Sequence, residues 1–160
     1  MANTKLSSLG GIVCVNGRKD ELIFAAIADG TAKPGNGVTV IATAGATLGD
    51  IIKHDIGGST DQFVGLLLPK YNTDCDTANV NGEICEIVVP RSGRKYNVKI
   101  VDPVANEGQV GTPVVFHPTT DGEFTVGTSG DHAIEVSAYC ATVSKALVSG
   151  DLFAEVIWRA

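Results

Sequence analysis

Oxygen-bearing side chains crowd one stretch of this chain, Asn72-Thr73-Asp74-Cys75-Asp76-Thr77, with Glu83 following. A calcium ion takes oxygen ligands from positions 1, 3, 5 and 12 of a loop. Asn72, Asp74, Asp76 and Glu83 fall on that spacing. Asn stands at the first position in place of Asp, and Thr77 occupies the place where the sharp turn takes Gly. An Asn/Asp loop closed by side-chain to backbone hydrogen bonds accounts for the same residues without an ion. Calcium is the weaker reading, and no bound metal is expected.

Other chemistry finds fewer parts. The sequence holds no Gly-x-Ser-x-Gly, no phosphate-binding loop and no His-Glu-x-x-His. A general base needs a substrate proton within reach and some burial to tune its pKa. His54 lies in Lys53-His54-Asp55, His117 precedes Pro118 and His132 follows Asp131. His54 and His132 read as solvated groups in polar, turn-like contexts. Cys14, Cys75, Cys85 and Cys140 include no Cys-x-x-Cys, and three pairings are open to them. Cys14 and Cys140 sit in apolar runs, where a free thiol behaves as a small buried hydrophobe. Arg91, Arg94 and Lys95 form a basic cluster, either a solvated turn or a surface that docks on acidic groups. Without interleaved aromatics it is a poor platform for nucleic acid. No catalytic residue and no cofactor are implied, and the chain reads as a non-enzyme.

The elements that position these groups follow from composition and pattern. Hydrophobic residues make up 44% and charged residues 19%, which excludes a disordered chain. The net charge of -6 opposes a nucleic-acid backbone. The apolar runs Leu22 to Ala28 and Val64 to Leu68 are far shorter than the ~20 residues of a membrane span. Met1 to Leu9 lacks the apolar stretch of a secretory signal. A soluble chain made in a cytoplasm is expected, with neither nucleic acid nor membrane as partner. Residues 1–9 read as a flexible arm and residues 10–160 as a single β domain.

From Gly10 onward, short β-type runs alternate with turn residues, many of them among the 19 glycines. Gly11 to Val15 ends at Asn16-Gly17, and Val38 to Thr43 is rich in β-branched residues. Leu22 to Ala28 fits a buried strand or one or two helical turns. Two hairpins are expected: Glu83 to Val89 with Lys95 to Val101, across Pro90-Arg91-Ser92-Gly93-Arg94, and Pro113 to His117 with Glu123 to Val126, across Asp121-Gly122. Ala133 to Val143 and Leu152 to Trp158 alternate as strands, and residues 143–149 are given one helical turn. Strands spaced roughly 8–12 residues apart imply an all-β fold, a small β-sandwich or barrel-like domain with at most one short helix. A weak internal echo pairs Gly49-Asp50-Ile51-Ile52 with Gly150-Asp151-Leu152-Phe153, and Gly37-Val38-Thr39-Val40 with Gly111-Thr112-Pro113-Val114. Two related β units would produce it.

Five segments, Ala44-Gly45-Ala46-Thr47-Leu48-Gly49-Asp50, Phe63-Val64-Gly65-Leu66-Leu67, Gly111-Thr112-Pro113-Val114-Val115-Phe116, Asp121-Gly122-Glu123-Phe124 and Gly150-Asp151-Leu152-Phe153-Ala154-Glu155-Val156, share a rhythm. Over roughly residues 37–158 it resembles that of the head decoration, or cement, proteins of tailed bacteriophages. The Cys75 segment and the longer Arg91 hairpin depart from it. The resemblance implies a barrel-like domain of the β-tulip type, acting as a homotrimer on the capsid exterior of a virion. Its partner would be the major capsid protein, and no catalytic residues transfer. Lys5, Leu6 and Leu9 of the arm are the expected capsid contacts, and Arg91, Arg94 and Lys95 a surface contact. Another virion or surface β module, of the tail, fibre or carbohydrate-binding kind, is the alternative.

Overall fold

The apolar run Leu22 to Ala28 fits strand and helix alike; its neighbours decide the matter. In the computed structural model, which describes residues 13–14, 19–40, 52–56, 63–70, 77–100, 113–116, 122–126, 138–146 and 152–159, it is strand β1 (Leu22–Ala28). Four more strands join it: β2 (Gly37–Val40), β3 (Ile52–Ile56), β4 (Phe63–Leu67) and β5 (Ile84–Val89). In the order β1-β3-β2-β4-β5, with β5 returning to β1, they close a barrel. Its β1–β3 pair is parallel and the other four are antiparallel. Five strands enclose little room, so small side chains suit the interior. Ala26, Ala28, Ala32, Val38, Leu67, Cys85 and Ile87 fill it, with Phe24 against them.

A second sheet follows from β6 (Lys95–Lys99), β7 (Pro113–Phe116), β8 (Phe124–Val126), β9 (Ala138–Ala146) and β10 (Leu152–Trp158), in the order β6-β10-β9-β7-β8. Ile100, just past β6, makes a parallel bridge to Phe124 of β8. The second unit therefore repeats the first. Taking β1 to β5 as β6 to β10 in turn keeps every neighbour and every relative direction, including the parallel contact. One of the two sequence echoes falls near counterparts: Gly37 opens β2, and Gly111 stands in the sequence two residues before β7. The other does not, because Gly49-Asp50 precedes β3 whereas Gly150-Asp151 precedes β10. The true counterpart of Gly150-Asp151-Leu152 is Gly82-Glu83-Ile84, which enters β5.

The repeat is not symmetric in how the units meet. Pro34-Gly35 forms the middle of a type II turn, with Gly35 at φ 85° and Asn36 N donating to Lys33 O. This turn inserts beside β6 and β8: Lys99 N donates to Gly35 O, and Gly37 N and Asn36 Nδ2 both donate to Gly122 O. Leu66, Leu68, Val88 and Ile23, from the outside of the barrel, pack into the interior of the second sheet. They meet Tyr96, Val98, Ile100, Val114, Phe124, Phe153, Val156 and Trp158 there. The outer wall of the first unit is thus the lid of the second.

The all-β expectation holds: the described residues contain ten strands and no helix. The 113–126 hairpin forms as expected, with Val114 opposite Val126 and Phe116 opposite Phe124. The Glu83 to Val101 hairpin does not. β5 has β1 on one edge and β4 on the other, so no edge is left for β6, which pairs with β10. The Pro90 to Arg94 turn joins the units instead. Residues 143–146 belong to β9 rather than to a helical turn, held in register by Ala146 opposite Leu152. His54 lies inside β3, opposite Ala28 and Val40, and not in a turn.

Candidate functional site

Of the sequence-derived contact groups, the basic turn lies among the described residues. Arg94 N donates to Arg91 O, and Gly93 adopts φ 78°, a second type II turn with Ser92-Gly93 at its centre. The turn is pinned to the last strand by Gly93 N to Trp158 O and Trp158 N to Arg94 O. Its cations are held by distant residues. Arg91 Nη1 donates to Asp20 O at 2.6 Å, and Arg94 Nε stands 3.7 Å from Glu21 Oε1. Lys95 Nζ lies 3.1 Å from Glu155 Oε1. The Glu21 side chain is 1% exposed, so its charge relies on these partners. It also accepts a 2.7 Å hydrogen bond from Tyr96 Oη, which in turn accepts from Arg91 N. Tyr96 meets Trp158 edge to face, ring centres 6.2 Å apart.

Burial, and then Glu21, pushes the Tyr96 hydroxyl well above its ordinary pKa. It stays protonated near neutral pH and donates rather than acting as a base. Burial likewise raises the Cys85 thiol to about 11, where Sγ donates to Ala26 O inside the barrel. Such thiols are poor nucleophiles. Cys14 is a second buried thiol outside any disulfide, in the core of the other unit. A maleimide is expected to leave Cys14 and Cys85 unmodified in the folded chain and to label both after denaturation, as read by peptide mass spectrometry. Both raised groups hold their protons more tightly folded than unfolded. Their contribution to stability is complete below the ordinary values of 9.0 for the thiol and 10.0 for the phenol, and it declines as pH rises past them. The denaturation midpoint should hold up to about pH 9 and fall beyond it. A midpoint that is flat throughout the alkaline range would contradict this.

Of the candidate calcium ligands, Glu83 is described and Asn72, Asp74 and Asp76 lie outside the described residues. Glu83 pairs with Lys70 and accepts from Val80 N; Lys70 first, then that backbone bond, holds its carboxyl below the usual range. Among the described residues no three His, Cys, Asp or Glu side chains gather around a common point. Lys5, Leu6 and Leu9 lie outside the described residues, as do His117 and His132. Sequence reasoning passed over Asp20 and Glu21, which anchor the basic turn, and the exposed apolar residues Leu22, Val80 and Ile84. The Ile84 exposure has a sequence signal: in Ile84-Cys85-Glu86-Ile87, Ile84 shares its phase with Glu86, on the solvent face.

No family model matches this chain, and no curated protein matches it. Among solved structures it is similar to the head fiber gp8.5 N base of bacteriophage phi29, with a TM-score of 0.50 and 14% sequence identity. The likeness covers 88% of this chain and 96% of that one, so it runs across both five-stranded units. At that identity it shows a shared fold.

Proposed function

We propose that this chain is a structural protein of a phage virion, carried on the outside of the head. The observation that carries the reading is the fold shared, over both units, with a base that by its description belongs to a phage head fibre. The described chemistry agrees with adhesion: cations held by carboxylates, two buried thiols and, among the described residues, no cluster suited to a metal. On this reading the chain is a decoration protein that grips the major capsid protein and stabilises the head. It acts as a homotrimer, so that three weak contacts act together and raise avidity. Residues 1–9, through Lys5, Leu6 and Leu9, order on a capsid subunit, and Arg91, Arg94 and Lys95 face acidic groups there. A second reading, favoured by the phi29 likeness, makes the chain the base of a fibre that the head merely holds.

Heads lacking the chain separate the two. If it is cement, DNA-filled heads without it should open at a lower temperature, and adding the purified chain should restore the higher one. If it is a fibre base, adding it should leave the opening temperature unchanged while the chain still binds. Heads that neither bind the chain nor respond to it would contradict both readings.

A further inference from the structure

Three Asn-Gly pairs stand in the sequence: Asn16-Gly17, Asn36-Gly37 and Asn81-Gly82. Asparagine is a thermolabile residue. In such a pair the glycine nitrogen can attack the asparagine side-chain amide, because glycine has no Cβ to crowd the approach. Asn16-Gly17 lies outside the described residues. The other two both lie in tight turns, yet the fold treats them differently.

Asn36 is caged. It is 4% exposed, and its side chain is held at both ends: Oδ1 accepts from Lys33 N at 2.7 Å, and Nδ2 donates to Gly122 O at 2.9 Å. The nitrogen that would attack, Gly37 N, donates to the same Gly122 carbonyl at 2.8 Å. Freeing this pair means parting the two units. Asn81 is open. It and Gly82 form the exposed centre of a type II turn, with Gly82 at φ 84° and Glu83 N donating to Val80 O. Nothing lies within 4 Å of the place a Gly82 Cβ would take. Gly82 N is tied to Ala28 O at 2.8 Å, so the turn must swing open before that nitrogen can react. An exposed turn with few ties opens at small free-energy cost, whereas a buried seam opens only with the fold around it.

We propose that Asn81-Gly82 is a site of spontaneous conversion to aspartyl and isoaspartyl forms in the folded chain, and that Asn36-Gly37 is not. Gly82 N gives its proton to solvent and bonds to Asn81 Cγ; the Cγ–Nδ2 bond breaks, and the nitrogen takes up a proton and leaves as ammonia. Water then opens the cyclic imide at either carbonyl. One opening leaves an aspartate, the other an isoaspartate whose main chain is longer by a methylene. The balance is one water in and one ammonia out, with nothing oxidised or reduced. Either product adds a carboxylate to a turn that already carries Glu83 and leads to the exposed Glu86. The isoaspartyl form also lengthens the chain between Val80 and Glu83, loosening the end of the β1–β5 ladder where Ala28 N donates to Glu83 O. This goes beyond the proposed function and does not depend on attachment to a head.

Incubating the full chain at mildly alkaline pH, folded and in denaturant, tests the proposal. Peptide mass spectrometry reads each pair, and methyl transfer by an isoaspartyl methyltransferase marks the isoaspartyl product. In the folded chain Asn81 should convert about tenfold faster than Asn36 or more, and in denaturant the gap should close. Asn81→Gln, which would have to form a larger ring, should remove the isoaspartyl signal from that peptide. The altered side chain is exposed, so thermal melting should stay at the wild-type value. An Asn81 that keeps its amide while the folded chain ages, an Asn36 that converts as fast, or a gap that persists in denaturant would overturn the proposal.

Discussion

Gly65→Ala is expected to unfold the chain at temperatures where the wild type is folded. A Cβ built at Gly65 would stand 2.4 Å from the carbonyl oxygen of Val88 and 2.6 Å from Ile87 Cγ2. The nearer atom is backbone, fixed by the β4–β5 ladder in which Leu66 faces Val88 and Leu67 faces Ile87. No rotamer change can clear it, so the strands must part or the barrel must widen. Overpacking of a core commonly costs about 1–3 kcal/mol when side chains can yield. With backbone in the way the cost should reach about 4 kcal/mol or more, a large share of the ~5–15 kcal/mol that holds a domain together. Adding Ile87→Ala should not restore stability, because the carbonyl contact remains and truncating this buried isoleucine itself costs about 2–5 kcal/mol. Denaturant titration followed by far-ultraviolet circular dichroism reads both values. A Gly65→Ala chain as stable as wild type would show that the barrel is wider than the structure has it.

Gly35→Ala combined with changes at Phe153 should expose the joint between the units. Gly35 holds φ 85°, where an L side chain adds about 1–2 kcal/mol of strain. A Cβ there would also lie 2.7 Å from Phe153 Cε1. Gly35→Ala should therefore cost about 2–4 kcal/mol, part from the backbone and part from the ring. Phe153→Ala alone removes a fully buried ring and should cost about 3–5 kcal/mol. In the double variant the clash is gone, so the two losses should add to less than their sum by about 1 kcal/mol or more. Simple additivity would mean that the turn and the ring do not touch. Because Ile23, Leu66, Leu68 and Val88 of the first unit complete the core of the second, these variants should still unfold in one transition.

Local pattern carries the strands well wherever one sheet face is wet. Tyr96, Val98 and Ile100 alternate with Asn97 and Lys99, and the alternation puts the apolar set into the core, although Asn97 on the other face is buried as well. Pairing is another matter, because a turn signal reports a reversal of the chain and not which strand edges are vacant. Pro90 to Arg94 has the residues of a hairpin loop, yet it spans two units since β5 is already flanked on both sides. The repeat is legible only faintly. What the two units share is topology and the direction of side chains, and the one close match in residues, Gly82-Glu83-Ile84 with Gly150-Asp151-Leu152, is interrupted further on by the irregular register of β10. The basic cluster is plain in the sequence, but its anchors are not: Asp20, Glu155 and Glu21 lie 71, 60 and 75 residues from the groups they bind. Only the closed fold brings them together.

Adhesion to a phage head is tested most directly by mixing the purified chain with heads of its own phage from which it has been removed, and pelleting them over a range of concentrations. Saturable binding with a fixed number of copies per head, weakened when residues 1–9 are deleted, is the expected result. A chain that stays in the supernatant at every concentration, or that pellets without saturating, would contradict it.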